Sequence, residues 1–171
     1  LGQLFTALAE ARPRAVAVDL VLPGRSHDAL VPGADEALLA KIVPGCDWVF
    51  HEAAVASVPQ SVAQPLETNQ HNLDATLKLL IAARDAGVTR FLFASSSAIY
   101  GESEVESKHE SLPPQPITPY GLQKYASERY AQLFHRLYGL PTVSLRYFNV
   151  AGALKADRGW LAERHNPETH L

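Results

Sequence analysis

The pattern of hydrophobic and polar residues predicts helices and strands that alternate along the chain. Apolar residues spaced three and four apart favour helices, whereas short runs rich in Val or Phe favour buried strands. Gly and Pro residues mark where these elements end. The predicted helices cover 3–12, 34–43, 66–86 and 117–138, and the predicted strands cover 14–20, 47–54, 90–97 and 142–150.

This alternation predicts an α/β fold with a right-handed, doubly wound parallel sheet. Ligands of such sheets bind outside the carboxyl ends of the strands. In the helix over 117–138, the apolar stripe predicted to face the core consists of Ala126, Tyr130, Leu133 and Leu137.

The composition indicates a globular domain without nucleic-acid or membrane partners. Of the 171 residues, 47% are hydrophobic and 19% charged, which is enough for one packed core. The net charge of -3 and the lack of a Lys/Arg cluster argue against a nucleic-acid or anionic membrane surface. No apolar run approaches the roughly 20 residues that span a bilayer. The single cysteine, Cys46, fits a small buried hydrophobe in a reducing compartment, so we expect a cytoplasmic protein.

Tyr120 and Lys124 are the first candidates for chemistry. Their spacing of four on a predicted helix places both side chains on one face, and a neighbouring cation favours the phenolate, so the pair predicts a tyrosine general base. Upstream, Ser95, Ser96 and Ser97 end a strand at the edge where ligands bind. A serine there can bond a substrate hydroxyl and pass its proton to the tyrosine. Taken alone, the Tyr–Lys pair also fits a solvated helix face, and the serines also fit a turn.

The remaining polar candidates are interpreted as structural. His51 and Glu52 end a buried strand and are expected to support it. His165 and His170 are not interpreted as metal ligands, so no metal site is predicted.

Five landmarks occur in the order typical of one enzyme family. They are HEAAVASVPQS, Asn72, SSSAIYG, PYGLQK and RYFNVAG. They resemble the nucleotide-sugar epimerases and dehydratases of the extended short-chain dehydrogenases, and the resemblance spans nearly the whole chain. It implies a Rossmann-like NAD-binding domain over 1–152, the start of a substrate-binding region over 153–171, and NAD as cofactor. Because family members often dimerise through two helices, it also implies a homodimer through 66–86 and 117–138.

The resemblance assigns roles to individual residues. Ser96, Tyr120 and Lys124 match the catalytic residues, with Tyr120 as the base and Lys124 also holding the nicotinamide ribose. The implied cofactor-binding residues are Gly2, Asp19, Ala53, Ala54, Val55, Asn72, Ser95, Tyr120, Lys124 and Tyr147. The implied substrate-binding residues are Ser96, Ser97, Tyr120, Phe148 and Asn149.

The start of the chain departs from the family pattern. Family members open with a strand and a GxxGxxG motif, of which Gly2 matches the third glycine. We therefore expect an N-terminally truncated domain that also lacks the C-terminal substrate domain. Asp19 is interpreted as the acid that ends the second strand, bonds the adenosine ribose and selects NAD. A turn-forming aspartate is the alternative.

The implied reaction is epimerisation at C4 of a nucleotide sugar. In this hypothesis Tyr120 removes the C4 hydroxyl proton through or beside Ser96, hydride passes to NAD, and the transient 4-keto sugar is reduced on its other face. Ser96, Ser97 and Ala98 stand where dehydratases carry Thr-Asp-Glu, which argues against dehydration. The segment 163–171 resembles one in UDP-glucose 4-epimerases, so UDP-glucose and UDP-galactose are the expected pair. UDP-N-acetylglucosamine or UDP-glucuronate as substrate, and a non-catalytic nucleotide-binding remnant, stay open.

Overall fold

The computed structural model describes residues 15–18, 34–150, 154–156 and 159–161. The parallel sheet in this part of the chain contains β1 (Ala15–Val18), β2 (Trp48–His51), β3 (Arg90–Ser96) and β4 (Thr142–Tyr147), in that spatial order. The helices are α1 (Ala34–Ile42), α2 (Val58–Ala63), α3 (Pro65–Asn69), a π turn (Gln70–Asp74), α4 (Ala75–Asp85), a 3₁₀ turn (Ser97–Tyr100) and α5 (Pro119–Tyr138). A separate antiparallel pair consists of β5 (Leu154–Ala156) and β6 (Gly159–Leu161).

The predicted α/β alternation and parallel sheet are confirmed. The helix predicted over 66–86 is interrupted by the π turn, and its end is set by Gly87 at a φ of 69°. None of the described helices is long and apolar enough to cross a membrane. The predictions for helix 3–12, Gly2, Asp19 and 163–171 fall outside the described residues.

The helices between the strands lie on one face of the sheet. Right-handed crossovers that step in one direction place their helices on the same side, and contacts run from α1 to α4 and from α4 to α5. The order of the strands in the sheet follows their order in the chain, as on one side of a doubly wound sheet. The role of Asp19, outside the described residues, stays a prediction.

The core lies between this helical layer and the covered face of the sheet. Val49, Phe91 and Phe93 project from the strands against Leu80 and Phe134 of the helices, and all five are buried. The same strands leave Trp48, Val143 and Leu145 of the opposite face exposed. The site described below therefore lies at the edge of a sheet that has one face packed against helices.

The buried face of α5 differs from the predicted stripe. Tyr130 and Leu137 are exposed, and Ala126 and Leu133 are only half-buried. The face that packs on the sheet is largely polar, and its buried residues are Tyr120, Gly121, Gln123, Lys124, Ser127, Glu128, Ala131 and Phe134. The prediction was wrong because hydrophobic periodicity assigns polar residues to solvent, whereas these polar side chains are hydrogen-bonded inside the protein.

The turn after α1 also corrects a prediction. Cys46 is half-buried rather than buried, and its thiol donates to the carbonyl of Ile42 at 3.4 Å. Burial raises the pKa of the thiol, with Asp47 adding to the shift. Cys46 is thus a capping side chain at the end of a helix, close to the surface.

Candidate active site

A cleft of about 740 Å³ opens at the carboxyl edge of β2, β3 and β4. It brings together most of the predicted site residues: Ala54, Ser95, Ser96, Ser97, Tyr120, Lys124, Tyr147, Phe148 and Asn149 all line it. Glu52 and Lys108 line it as well. This is the edge of a parallel sheet where ligands are expected to bind.

Tyr120 lies at the start of α5, where the backbone is held firmly. Thr118 caps the helix by accepting from the Gly121 amide at 3.1 Å, and the Tyr120 amide donates to Ser61 Oγ at 3.1 Å. Gly121 is required here, because a Cβ at this position would lie 2.7 Å from the carbonyl oxygen of Ala98. The helix start is therefore packed tightly against the turn that follows Ser96.

Ser96 and Tyr120 form the polar centre of the cleft. Ser96 Oγ accepts from the Ala98 amide at 3.1 Å, so its own proton is available for the Tyr120 phenol. Burial raises the pKa of Tyr120, and the hydrogen bond with Ser96 partly offsets the increase. The serine thus favours the phenolate, as a proton relay requires.

Lys124 is a buried cation beneath the tyrosine. Its Nζ donates to the carbonyl of Ala94 at 2.7 Å and lies 4.9 Å from the centre of the Phe93 ring and 5.9 Å from that of Tyr120. Burial lowers the pKa of Lys124 to about 8, against the opposing effect of the Glu52 carboxylate. The ammonium thus lies over the face of the Tyr120 ring, and the role predicted for Lys124 in favouring the phenolate stays a prediction.

The segment after β2 presents Ala54 to the cleft, whereas Ala53 and Val55 are not part of the wall. Asn72 is buried outside the cleft, and its side-chain amide is bonded to the Val55 backbone and to Gln123. Asn72 therefore supports the segment 53–55, which was predicted to bind the cofactor, and does not itself line the cleft.

A buried ion pair holds the strand that carries the cleft's far wall. Arg146 of β4 donates from Nη2 to Glu128 Oε1 at 2.6 Å and from Nε to Oε2 at 3.1 Å. Ser95 donates to the same carboxylate at 3.0 Å, and Arg146 also donates to the Tyr100 hydroxyl at 3.1 Å. Glu128 raises the pKa of Arg146 above its ordinary value. The signal that could have identified this network is an arginine inside a predicted buried strand.

His51 is buried below the cleft as a neutral imidazole, consistent with its predicted structural role. The Thr76 hydroxyl donates its proton to the Asn72 carbonyl at 2.6 Å. In the 2.8 Å hydrogen bond between His51 and Thr76, the donor is therefore Nε2–H of the histidine. Burial lowers the pKa of His51 to about 3, and the Lys124 cation adds to the shift.

Acid is therefore expected to destabilise the protein through His51. Below pH 6.5 the unfolded chain binds a proton that the folded chain excludes until about pH 3, so stability is lost across this window as the pH falls. His51→Gln keeps a donor for Thr76 and removes the titrating group. Between about pH 7 and about pH 5, the free energy of unfolding should fall by about 2 kcal/mol more in wild type than in His51→Gln. Urea denaturation at both pH values measures this loss. The surface variant His109→Gln should follow wild type, and equal losses in wild type and His51→Gln would contradict the expectation.

The fold and this cleft define an α/β domain of the Rossmann type with a Ser–Tyr–Lys cluster at the carboxyl edge of its sheet. Residues 10–165 match the model of the NAD dependent epimerase/dehydratase family, and the chain belongs to that family, whose cofactor is NAD.

Known relatives agree with this assignment. The chain is similar to the UDP-glucose 4-epimerase of Streptococcus mutans, with 41% identity over 128 residues that cover 75% of this chain and 38% of the relative. Among solved structures it is similar to UDP-glucose 4-epimerase from Brucella ovis in complex with NAD, with a TM-score of 0.74, 37% identity and coverage of 80% and 42%. It is also similar to UDP-N-acetylglucosamine 4-epimerase from Methanobrevibacter ruminantium, in complex with UDP-N-acetylmuramic acid, with a TM-score of 0.69, 39% identity and coverage of 85% and 50%. The chain thus spans half or less of the length of these relatives.

Proposed function

We propose that this protein is an NAD-dependent nucleotide-sugar 4-epimerase that interconverts UDP-glucose and UDP-galactose. The observation that carries the proposal is that Ser96, Tyr120 and the buried Lys124 line one cleft at the carboxyl edge of the sheet. The names of the relatives support the nucleotide sugar. In the same proposal, 1–152 belong to the NAD-binding domain and 153–171 begin the substrate-binding region.

The residues present fit NAD. Lys124 Nζ can donate three hydrogen bonds, and within the described residues it makes one, to Ala94. The other two donors of this buried ammonium suit the hydroxyls of a ribose in the cleft. Ala54 and Ser95 would line the cofactor and Tyr147 would lie beside its nicotinamide. When bound, NAD supplies the hydride acceptor and donor for the sugar.

In the proposed mechanism the protein's own residues move the proton. Ser96 bonds the C4 hydroxyl of the sugar, and Tyr120 takes the hydroxyl proton as C4 is oxidised to the ketone. Tyr120 returns the proton when the ketone is reduced on its opposite face, so the product differs from the substrate only in configuration. Phe148 and Asn149, on the far wall, would contact the nucleotide sugar, with Asn149 at the diphosphate.

Epimerisation is favoured over dehydration by the chemistry of the 3₁₀ turn. Elimination of water between C5 and C6 needs an additional acid and base next to the serine. Ser97 and Ala98 occupy those positions, and neither is a carboxylic acid. Glu52, the carboxylate on the cleft wall within the described residues, comes from the end of β2 instead.

The decisive assay uses protein expressed from the complete reading frame. Incubation with UDP-galactose, followed by chromatography of the nucleotide sugars, should give UDP-glucose without added NAD being consumed. Faster conversion of UDP-N-acetylglucosamine would establish the second candidate, which the likeness to the Methanobrevibacter enzyme favours. A folded protein that contains NAD but converts none of UDP-galactose, UDP-N-acetylglucosamine and UDP-glucuronate would refute the epimerase proposal. A folded protein that neither contains NAD nor converts these sugars would establish the non-catalytic alternative.

We also propose a homodimer through the helices α4 and α5. Tyr130 and Leu137, from the predicted core stripe of α5, are exposed, as is Ile81 of α4. Covering this surface with a second copy would bury apolar side chains that otherwise contact water. Sedimentation velocity of the complete protein should show a dimer that Leu137→Glu weakens, and a monomeric wild type would contradict it.

A further inference from the structure

A chain of buried hydrogen bonds joins α5 to the segment after β2. It begins at Gln123, which lies between Tyr120 and Lys124 in sequence but is not part of the cleft wall. Only 4% of Gln123 is exposed. An amide buried this completely must have partners for both of its ends.

Both ends of the Gln123 amide are occupied, and their orientation is determined. Its Oε1 accepts from Asn72 Nδ2 at 2.9 Å, and its Nε2 donates to Thr68 Oγ1 at 3.1 Å. Thr68 donates its own proton to the Gln64 carbonyl at 3.1 Å, so it can only accept from Gln123. A flipped amide would place a donor against the donor of Asn72.

Asn72, whose side chain is held by Gln123, is in turn bonded to the backbone of Val55. Its Oδ1 accepts from the Val55 amide at 2.8 Å, and its Nδ2 donates to the Val55 carbonyl at 3.1 Å. The side chain therefore bonds Val55 at two points, as a neighbouring strand would. The next residue back, Ala54, forms part of the cleft wall.

We infer that Gln123 is a positioning residue for the cofactor side of the cleft, acting through Asn72 on the backbone of Val55. Gln123 fixes the rotamer of Asn72, and Asn72 fixes the path of the chain past Ala54. The inference rests on the proposed function, because it assigns this wall of the cleft to NAD.

The test compares Gln123→Met with Gln132→Met in the cofactor-free complete protein. Methionine keeps the length of glutamine and removes its hydrogen bonds, and Gln132 lies on the exposed face of the same helix. Loss of one buried hydrogen bond predicts a dissociation constant for NAD about tenfold higher in Gln123→Met, measured by titration calorimetry. The exchange rate of the Val55 amide, followed by NMR, should rise by at least about the same factor. Gln132→Met should change neither quantity.

Gln123→Glu provides the rescue variant, because its carboxylate still accepts from Asn72, and the Thr68 hydroxyl can turn its proton from the Gln64 carbonyl to the second carboxylate oxygen. It should keep the slow exchange of Val55 and an affinity for NAD close to that of wild type. If Gln123→Met does not fold, Gln123→Glu decides, and loss of Val55 protection in this folded variant would overturn the inference. Unchanged NAD affinity or unchanged Val55 exchange in folded Gln123→Met would overturn it too. If wild type binds no NAD, the proposed function fails, while Val55 exchange still decides whether Gln123 positions this segment.

Discussion

Replacing Tyr120 with phenylalanine is expected to lower kcat for the proposed interconversion of UDP-glucose and UDP-galactose by a factor of about 10² to 10⁴. The substitution removes only the phenolic hydroxyl of a residue that lines the cleft together with Ser96. The ring that packs on Lys124 remains, so the cleft should keep its shape. KM and the affinity for UDP should therefore change little, and the loss should appear in kcat.

The matched control for Tyr120→Phe is Tyr125→Phe, which removes the same hydroxyl from the next turn of α5. Tyr125 is half-buried and not part of the cleft wall. Initial rates over a range of UDP-galactose concentrations, with circular dichroism to verify folding, separate the two variants. Retention of more than about a tenth of wild-type kcat in Tyr120→Phe would exclude this tyrosine as the general base.

Truncation of Glu128 to alanine should cause the largest loss of stability, about 3–5 kcal/mol in the free energy of unfolding. The change leaves the Arg146 guanidinium without its carboxylate in a largely buried position, where its side chain is 14% exposed. It also removes the acceptor for the Ser95 hydroxyl. Denaturation by urea at neutral pH measures the loss.

The control for Glu128→Ala is a substitution in an exposed ion pair whose N–O distance is similar. Arg84 and Asp85 are 2.7 Å apart, but 59% of the Asp85 side chain is exposed. Water and salt screen such a pair, so Asp85→Ala should leave the denaturation midpoint unchanged within error. A loss below about 1 kcal/mol in Glu128→Ala would show that water reaches Arg146 and replaces the carboxylate.

Periodicity predicted the elements of the fold but assigned the wrong face of α5 to the core. Runs such as 90–97, with Phe91, Leu92 and Phe93 in succession, identify a buried strand directly. The helix is different, because Gln123, Ser127 and Glu128 are buried through hydrogen bonds with distant residues. Such partners, 33 to 55 residues away in sequence, are set by tertiary packing, which a local pattern does not contain.

The site was predictable where one short motif carries the chemistry. The spacing of Tyr120 and Lys124 placed them on one helical face, and the serines ended the strand that faces them. Glu128 was missed because it belongs to none of the landmarks, and Arg146 was missed because the landmark RYFNVAG, which it opens, assigned it no role. Spacing alone also could not show that the Lys124 ammonium donates to the Ala94 carbonyl.

The π turn at Gln70–Asp74 fixes the number of residues between Pro65 and Gly87. A π turn contains about one residue more than an α-helical turn, and each residue rotates a helix by about 100°. Deleting one residue there would restore a regular α-helix and rotate α4 relative to α3. Leu80 could then face the sheet only if Asn72 turned away from Val55. Insertions and deletions should therefore be tolerated in the exposed loop over 102–112 but not in this stretch, although it looks like an ordinary helix in sequence.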